Sequence, residues 1–491
     1  MNSTKYMKVE NVLENVEIIE MAINSEAEIA GITTDSREVK EDVIFVAIKG
    51  NAFDGNDFID QAVKKGCALI VSEQPLPRES EVKWVQVKSA RRAWGQMCAN
   101  YFGHPSEKLE LIGVTGTNGK TTVVSLLADV MENLGYRCGM ISTIGNRIGA
   151  ELVSGTHTTP DAFELNYLLT KMVEGGCKYA FMEVSSHALD QDRVYGVNFA
   201  GAVFTNITHD HLDYHGDFKS YIKAKKKFFD GLNEDDFALV NADDKNASVM
   251  VQNCEAEKFT YGLKREADFK SRIIVDSVEG MQLSIDRFEA HFLLSGEYNA
   301  SNLTATYACG RILGFSSVEL LTAMSRVSPP EGRFEKVHHN PDLPDVIVDF
   351  AHTPDALENI LESVVKIKRK DRKVIVVFGC GGDRDKSKRA KMGRIAGTLG
   401  DEIIITSDNP RTEDPMTIIE EVAVGVREED KHKVRRVVLR KEAIRTACKI
   451  AQPGDIVLVA GKGHEKYQDI NGEKLPFDDK EIIRKALGLS D

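Results

Sequence analysis

The run Gly113-Val-Thr-Gly-Thr-Asn-Gly-Lys-Thr-Thr122 constrains this chain more than any other stretch. The residues before it, Leu109 to Val114, have the apolar character of a strand. After it, Val123, Leu126, Leu127, Val130, Met131 and Leu134 recur at helical spacing, and Gly135 is a stop signal. A strand, a glycine turn, Lys-Thr and a helix make a phosphate cradle, in which backbone N–H groups and the helix N-terminus face a polyphosphate. Lys120 would add a point charge and Thr121 a hydroxyl for Mg²⁺. Val114 stands where the common nucleotide loop has its first glycine, which leaves Gly116, Thr117, Asn118, Gly119, Lys120, Thr121 and Thr122 as the candidate cradle. Binding of a nucleoside triphosphate is the first expectation.

With 491 residues the chain exceeds one ordinary domain. Three blocks are expected: 1–105, 106–331 and 332–491. The first ends near Tyr101-Phe-Gly-His-Pro105, and the second breaks at Pro329-Pro330-Glu331-Gly332. A formal net charge of -13 argues against an extended nucleic-acid footprint, and no nucleic-acid partner is expected. No apolar run approaches the roughly 18 residues that would span a bilayer, and the polar, acidic first twenty positions do not resemble a signal peptide. The eight cysteines lack C-x-x-C spacing and read as reduced thiols, which points to the cytoplasm.

The fold class expected is α/β. In the middle block Tyr179–Val184, Gly201–Ile207 and Ala238–Asn241 are strand-like runs between helical ones. The last block alternates β-rich runs at Val374–Phe378, Glu402–Thr406, Arg436–Leu439 and Ile456–Ala460 with helices at Lys388–Leu399, Met416–Val426 and Lys441–Ala451. That pattern predicts a parallel sheet with right-handed crossovers. Its unusual loops, Gly379-Cys-Gly-Gly-Asp-Arg384, Asp408-Asn-Pro-Arg411 and Gly461-Lys-Gly-His-Glu465, all follow strands. They would meet at the carboxyl edge, where open α/β sheets bind ligands.

Several residues carry candidate chemistry. Glu183 ends an apolar run and suits Mg²⁺ ligation. The cluster His209-Asp-His-Leu-Asp-Tyr-His215 nearly spells a dinuclear zinc hydrolase motif, but Tyr214 separates the aspartate from the last histidine. A zinc hydrolase would have no use for a phosphate loop; a loop of polar caps is one alternative, and the favoured reading is His211 ligating a second Mg²⁺, an unusual ligand for a hard ion. Lys225, in Tyr221-Ile-Lys-Ala-Lys-Lys-Lys-Phe-Phe229, reads as part of a solvated basic helix face, with nothing to single out one lysine. Arg384 and Arg411 suit paired hydrogen bonding to a carboxylate.

Together these pieces resemble the Mur ligases, the ATP-dependent amide-forming enzymes of peptidoglycan precursor synthesis. The resemblance rests on Gly116–Thr122, Glu183-Val-Ser-Ser-His187, Thr205-Asn-Ile-Thr-His-Asp-His-Leu-Asp213, Asn299-Ala-Ser-Asn302, Gly332-Arg-Phe-Glu335, Asp349-Phe-Ala-His-Thr-Pro-Asp355 and Asp408-Asn-Pro-Arg411. It implies three domains: an N-terminal uridine-nucleotide-binding α/β domain, a central P-loop-type ATPase domain and a C-terminal Rossmann-like α/β domain that binds the amino acid. The cofactors implied are ATP and Mg²⁺. Glu183 and His211 match metal ligands, and Lys225 matches a lysine that CO₂ converts to an anionic carbamate; Lys120, Lys225 and His211 are the implied catalytic set.

Asn302, Arg333 and Asp349 match nucleotide contacts. Thr34, Asp35 and Ser36 match the uridine-binding turn, and Thr158, Thr159, Ser185, Gln191 and Arg193 match contacts to a UDP-muramoyl dipeptide. His157 and Phe350 depart from residues that relatives often carry there, asparagine and tyrosine. Asp408, Asn409, Pro410 and Arg411 form the family's diaminopimelate signature, with Arg384 sharing the distal carboxylate, Gly461 in the same site and Glu465 on the distal ammonium. The expected substrates are therefore UDP-N-acetylmuramoyl-L-Ala-D-Glu and meso-diaminopimelate, handled by a cytoplasmic monomer. Folylpolyglutamate synthetase is the nearest enzymatic rival, but it lacks the Asp-Asn-Pro-Arg loop. A nucleotide-dependent switch would need no amine pocket.

Overall fold

The computed structural model describes residues 6–22, 27–50, 53–75, 83–153, 155, 157–208 and 210–489. Among the described residues three large sheets follow one another along the chain, beside two two-stranded ones, Met7–Lys8 with Glu28–Ile29 and Tyr467–Ile470 with Glu473–Pro476. The first has five strands in the order Ile18–Ala22, Trp84–Val87, Leu69–Ser72, Val43–Val46, Gly31–Thr33, of which only Ile18–Ala22 runs antiparallel to its neighbour. Helix Ala90–Phe102 closes this block. Ser89 caps its start and Gly103 ends it in the left-handed region, so Tyr101 and Phe102 of the expected boundary are the helix's last residues.

The second sheet has eleven strands. Its centre is parallel, with Glu110–Thr115 between Tyr179–Glu183 and Gly201–Phe204, and Cys138–Ser142, Phe237–Asn241 and Glu257–Gly262 outside them. All of these but Glu257–Gly262 are almost wholly buried, as expected where helices cover both faces. At one edge an antiparallel meander, Phe269–Ser277, Gly280–Ile285 and Phe288–Phe292, extends the sheet. Helix Lys120–Asn133 leaves the end of Glu110–Thr115, as the sequence pattern predicts.

The third sheet has six strands in the order Glu335–Lys336, Asp345–Asp349, Ile456–Ala460, Val374–Phe378, Glu402–Thr406, Val434–Val437. All but the first pair are parallel. Three strands fall where the sequence places them. The fourth spans Val434–Val437 rather than Arg436–Leu439, because Leu439 already stands at the N-cap of helix Arg440–Ile450. Asp345–Asp349, of which the sequence analysis singles out only Asp349, is a buried strand beside Ile456–Ala460. No helix among the described residues is long and apolar enough to cross a membrane.

Candidate functional site: a cleft between the second and third sheets

The phosphate loop is held open by backbone geometry. Gly119, at the N-cap of helix Lys120–Asn133, has φ of 88°, and no side chain caps this helix. Its first N–H groups are thereby left to an anion. A Cβ at Gly119 would lie 2.6 Å from Asn302 Oδ1, so only glycine lets the loop pass so close to that asparagine. Asn206 braces the loop: its carbonyl accepts from Thr117 N at 2.8 Å and its Oδ1 from Asn118 N at 2.9 Å. Lys120 Nζ folds back onto the carbonyls of Gly116 and Thr117, both at 2.9 Å. Burial holds its pKa below the ordinary lysine value.

A cavity of about 860 Å³ opens from this loop. Thr117–Thr122, Glu183, His211, Asn302, Arg333 and Asp349 line it, with His157, Thr158, Thr159, Ser185 and Arg193 on one side and Arg384 from the third sheet on the other. Glu183 is 1% exposed; its Oε1 accepts from Ser142 Oγ at 2.6 Å and from Thr143 N at 2.9 Å. Arg333 Nη2 donates to Thr121 Oγ1 at 3.0 Å, and its guanidinium lies 4.6 Å from the centre of the Phe350 ring. Phenylalanine at 350 thus keeps a face for the cation, at the loss of a hydroxyl. Partial burial lowers the His211 imidazole below its ordinary value, and Asp210, 3.4 Å away, opposes that shift.

Lys225 corrects its sequence reading. It is 1% exposed, not solvated, and its Nζ donates to the Gly116 carbonyl at 2.8 Å and to Thr115 Oγ1 at 3.4 Å. Burial, then the nearby Lys120, holds its pKa well below the ordinary value. The signal was in the spacing: on helix Phe218–Asp230 the buried positions are Tyr221, Ala224, Lys225, Phe228 and Phe229, an i, i+3, i+4, i+7, i+8 stripe in which Lys225 is the one charged member. Among the described residues no three His, Cys, Asp or Glu side chains converge as a metal site, and His209 lies outside them. The donors that fit a hard ion here are the Glu183 carboxylate and the Thr121 hydroxyl; His211, which lines the same cavity, offers a nitrogen. Lys225 would join them only after losing its positive charge.

The second and third domains are tied beside the loop. Asp355, in the first turn of helix Pro354–Ile367, accepts from Asn118 Nδ2 at 2.7 Å and from Thr208 Oγ1 at 3.1 Å. Gly463 has φ of 55°, and a Cβ there would lie 2.8 Å from the Gly332 carbonyl oxygen and from Phe350 Cβ, so the last loop packs directly against the segment that carries Arg333.

Family models match three stretches: the Mur ligase family catalytic domain at residues 28–102, the Mur ligase middle domain at 114–310, and the Mur ligase glutamate ligase domain at 332–463. A protein of Cytophaga hutchinsonii named UDP-N-acetylmuramoyl-L-alanyl-D-glutamate–2,6-diaminopimelate ligase is 47% identical over 98% of this chain and 99% of its own. A Phocaeicola vulgatus protein of the same name is 47% identical over 97% of this chain and 99% of its own. The chain belongs to the Mur ligase family. A solved structure of a ligase with that name superposes with a TM-score of 0.71 at 31% identity, covering 99% of both chains.

In this Mur ligase the three carboxyl-edge loops of the third sheet meet one another. Gly382 N donates to the Asn409 carbonyl at 2.9 Å, and Asn409 Nδ2 to Glu465 Oε2 at 2.9 Å. Arg411 Nη1 donates to the Gly382 carbonyl at 2.7 Å, and its Nε lies 3.7 Å from Asp469. Asp408 and Asn409 are buried, and Gly461 packs against the Asp408 carboxylate. Arg389, 1% exposed, pairs with Glu413 at 2.9 Å and donates to the Gly381 carbonyl at 3.1 Å, pinning two of the loops.

Of these amino-acid-site candidates only Arg384 lines the large cavity; Asp408, Asn409, Pro410, Arg411, Gly461 and Glu465 form an adjoining cluster. Gln191 also stands behind the cavity wall, orienting Arg193 through its Oε1 at 2.8 Å. Thr34, Asp35 and Ser36 lie on the turn after strand Gly31–Thr33, outside the cavity. There Arg37 holds the Asp35 carboxyl down at about 2, and Ser36 Oγ donates to Gln61 Oε1 at 3.0 Å.

Proposed function

We infer that this chain is an ATP-dependent ligase that adds meso-2,6-diaminopimelate to UDP-N-acetylmuramoyl-L-alanyl-D-glutamate, releasing ADP and phosphate. One observation carries the reading: a single cavity runs from the phosphate loop of the second domain to Arg384 of the third. A reaction that must pass a phosphoryl group to one substrate and then an acyl group to another needs both ends within one enclosure. The full-length likeness to ligases named for this reaction supports it.

A carboxylate is a poor electrophile, so its conversion to an acyl phosphate comes first. A γ-carboxylate oxygen of the D-glutamyl end attacks the γ-phosphorus, and the bond to the β-phosphate oxygen breaks. The loop N–H groups, Lys120 and Arg333 hold the phosphates in line and offset charge as it shifts to ADP. The amine of the incoming amino acid, having lost its proton, then attacks the acyl carbon, and the tetrahedral intermediate expels phosphate. Asn302 and Asp349 would hold the nucleoside. Thr158, Thr159, Ser185 and Arg193 would hold the peptide end of the UDP substrate, and Thr34, Asp35 and Ser36 its uridine end. Magnesium, held by Thr121, Glu183, His211 and a carbamate on Lys225, would supply positive charge against the phosphates. Lys225's burial supports that modification, since a neutral amine is the form that adds CO₂.

On the amino-acid side, Arg411 and Arg384 would take the distal carboxylate that diaminopimelate has and lysine lacks, and Glu465 the distal ammonium. The site is complete within one chain, which supports a monomer, and nucleotide-linked substrates support a cytoplasmic enzyme. Phosphate release measured with the UDP-linked dipeptide and ATP should depend on meso-diaminopimelate and be far slower with lysine. Equal rates with both, or release without either, would remove the assignment.

A further inference from the structure

Lys462 lies in the loop after strand Ile456–Ala460 and is 0% exposed. Its Nζ donates to Asn409 Oδ1 at 2.9 Å and to Glu465 Oε2 at 3.2 Å, and lies 3.9 Å from Asp408 Oδ1. Asn409 is locked in turn: its Oδ1 also accepts from Asp469 N at 2.9 Å, and its Nδ2 donates to the same Glu465 Oε2 at 2.9 Å. Glu465 Oε2 therefore has two donors, while among the described residues no hydrogen bond engages Oε1. The ring around Lys462 draws on the loops after two different strands and on hairpin strand Tyr467–Ile470.

A buried ammonium placed among two carboxylates and an amide is costly unless its partners are fixed. Here the consequence is directional. By occupying one oxygen of Glu465, Lys462 and Asn409 fix the carboxylate's rotamer and leave the other oxygen as the acceptor for an incoming cation. We propose that Lys462 is a positioning residue for amino-acid selection: it presets Glu465 to read the distal ammonium of the substrate, apart from the carboxylate reading by Arg411. The proposal rests on the diaminopimelate reading above.

The two readings separate with three amines. L-2-Aminopimelate keeps the distal carboxylate of diaminopimelate and lacks the distal ammonium; L-lysine keeps the ammonium and lacks the carboxylate. In Lys462→Met, the kcat/KM preference for meso-diaminopimelate over L-2-aminopimelate should fall by about ten-fold or more, the range expected for a hydrogen bond to a charged group. The preference for meso-diaminopimelate over lysine, and KM for ATP, should stay within about two-fold, because both members of that pair lose the same contact. A purely structural role would slow all amines alike and leave both ratios unchanged; that result in folded enzyme overturns the proposal. So does a wild-type enzyme indifferent to the distal ammonium. Lys462→Gln, which keeps a donor without the charge, carries the same measurement if the methionine variant does not fold, and failure of both to fold would make Lys462 a core support and overturn it too. Failure of the ligase reading would look different: wild-type enzyme that does not use meso-diaminopimelate at all.

Discussion

The phosphate loop and the loops of the third sheet treat charge in opposite ways. Around the phosphate loop the cations rest on neutral groups: Lys120 on two carbonyls, Lys225 on a carbonyl and a hydroxyl, and Arg333 on the Thr121 hydroxyl. Among the third-sheet loops three buried or half-buried cations have a carboxylate, with Lys462 on Glu465, Arg389 on Glu413 and Arg411 beside Asp469. Cations whose hydrogen bonds go to neutral groups can turn to a polyphosphate without breaking an ion pair. A cluster already near neutrality suits a zwitterion, which must exchange its charges one for one with pairs already made. The first arrangement gives strong attraction, and the second gives discrimination.

The largest expected effect breaks the first arrangement. Lys120→Met removes a cation from the transferring phosphoryl group, and phosphate release should fall by about 10³-fold for every amine tested. A loss confined to one amine would show that the loop does not serve both substrates alike. Next, Arg411→Ala should cut kcat/KM for meso-diaminopimelate by about 100-fold and leave KM for ATP unchanged, since it strips one cation from the balanced cluster. Steady-state kinetics with both amines would check this, and unchanged diaminopimelate use would end Arg411's part in the comparison.

The smallest effect concerns His464, which stands where the two regions meet. Burial, then Arg333, pushes its imidazole from 6.5 down to about 4. The unfolded chain therefore binds a proton between those values that the folded chain does not. Its contribution to stability is full above pH 6.5 and is lost as pH falls toward 4. Thermal melts over that window should show Tm falling with pH, and His464→Gln should flatten the slope; an unchanged slope would mean the ring is not held neutral.

Much of this was legible in the sequence, for reasons that differ by region. The phosphate loop is local, so strand, glycine turn and helix can be read in one pass. The parallel strands Val374–Phe378, Glu402–Thr406 and Ile456–Ala460 of the third sheet are almost wholly buried and read as apolar runs. The meander Phe269–Ser277, Gly280–Ile285 and Phe288–Phe292 was missed because much of its surface faces solvent and its apolar signal is diluted. Lys225 was hidden by composition: its lysine neighbours made a basic face, while its place in the buried stripe was a matter of phase. Lys462 was not singled out, because part of what marks it is a bond to Asn409, more than fifty positions away.

Asp355 has a mechanical consequence. One carboxylate on the third domain grips both Asn118, inside the cradle, and Thr208, beside it. The carboxy-terminal lobe cannot swing outward without letting go of the seat in which a spent nucleotide would lie. Parting the lobe from the cradle would therefore free Asn118 and Thr208 together, through the loss of one carboxylate.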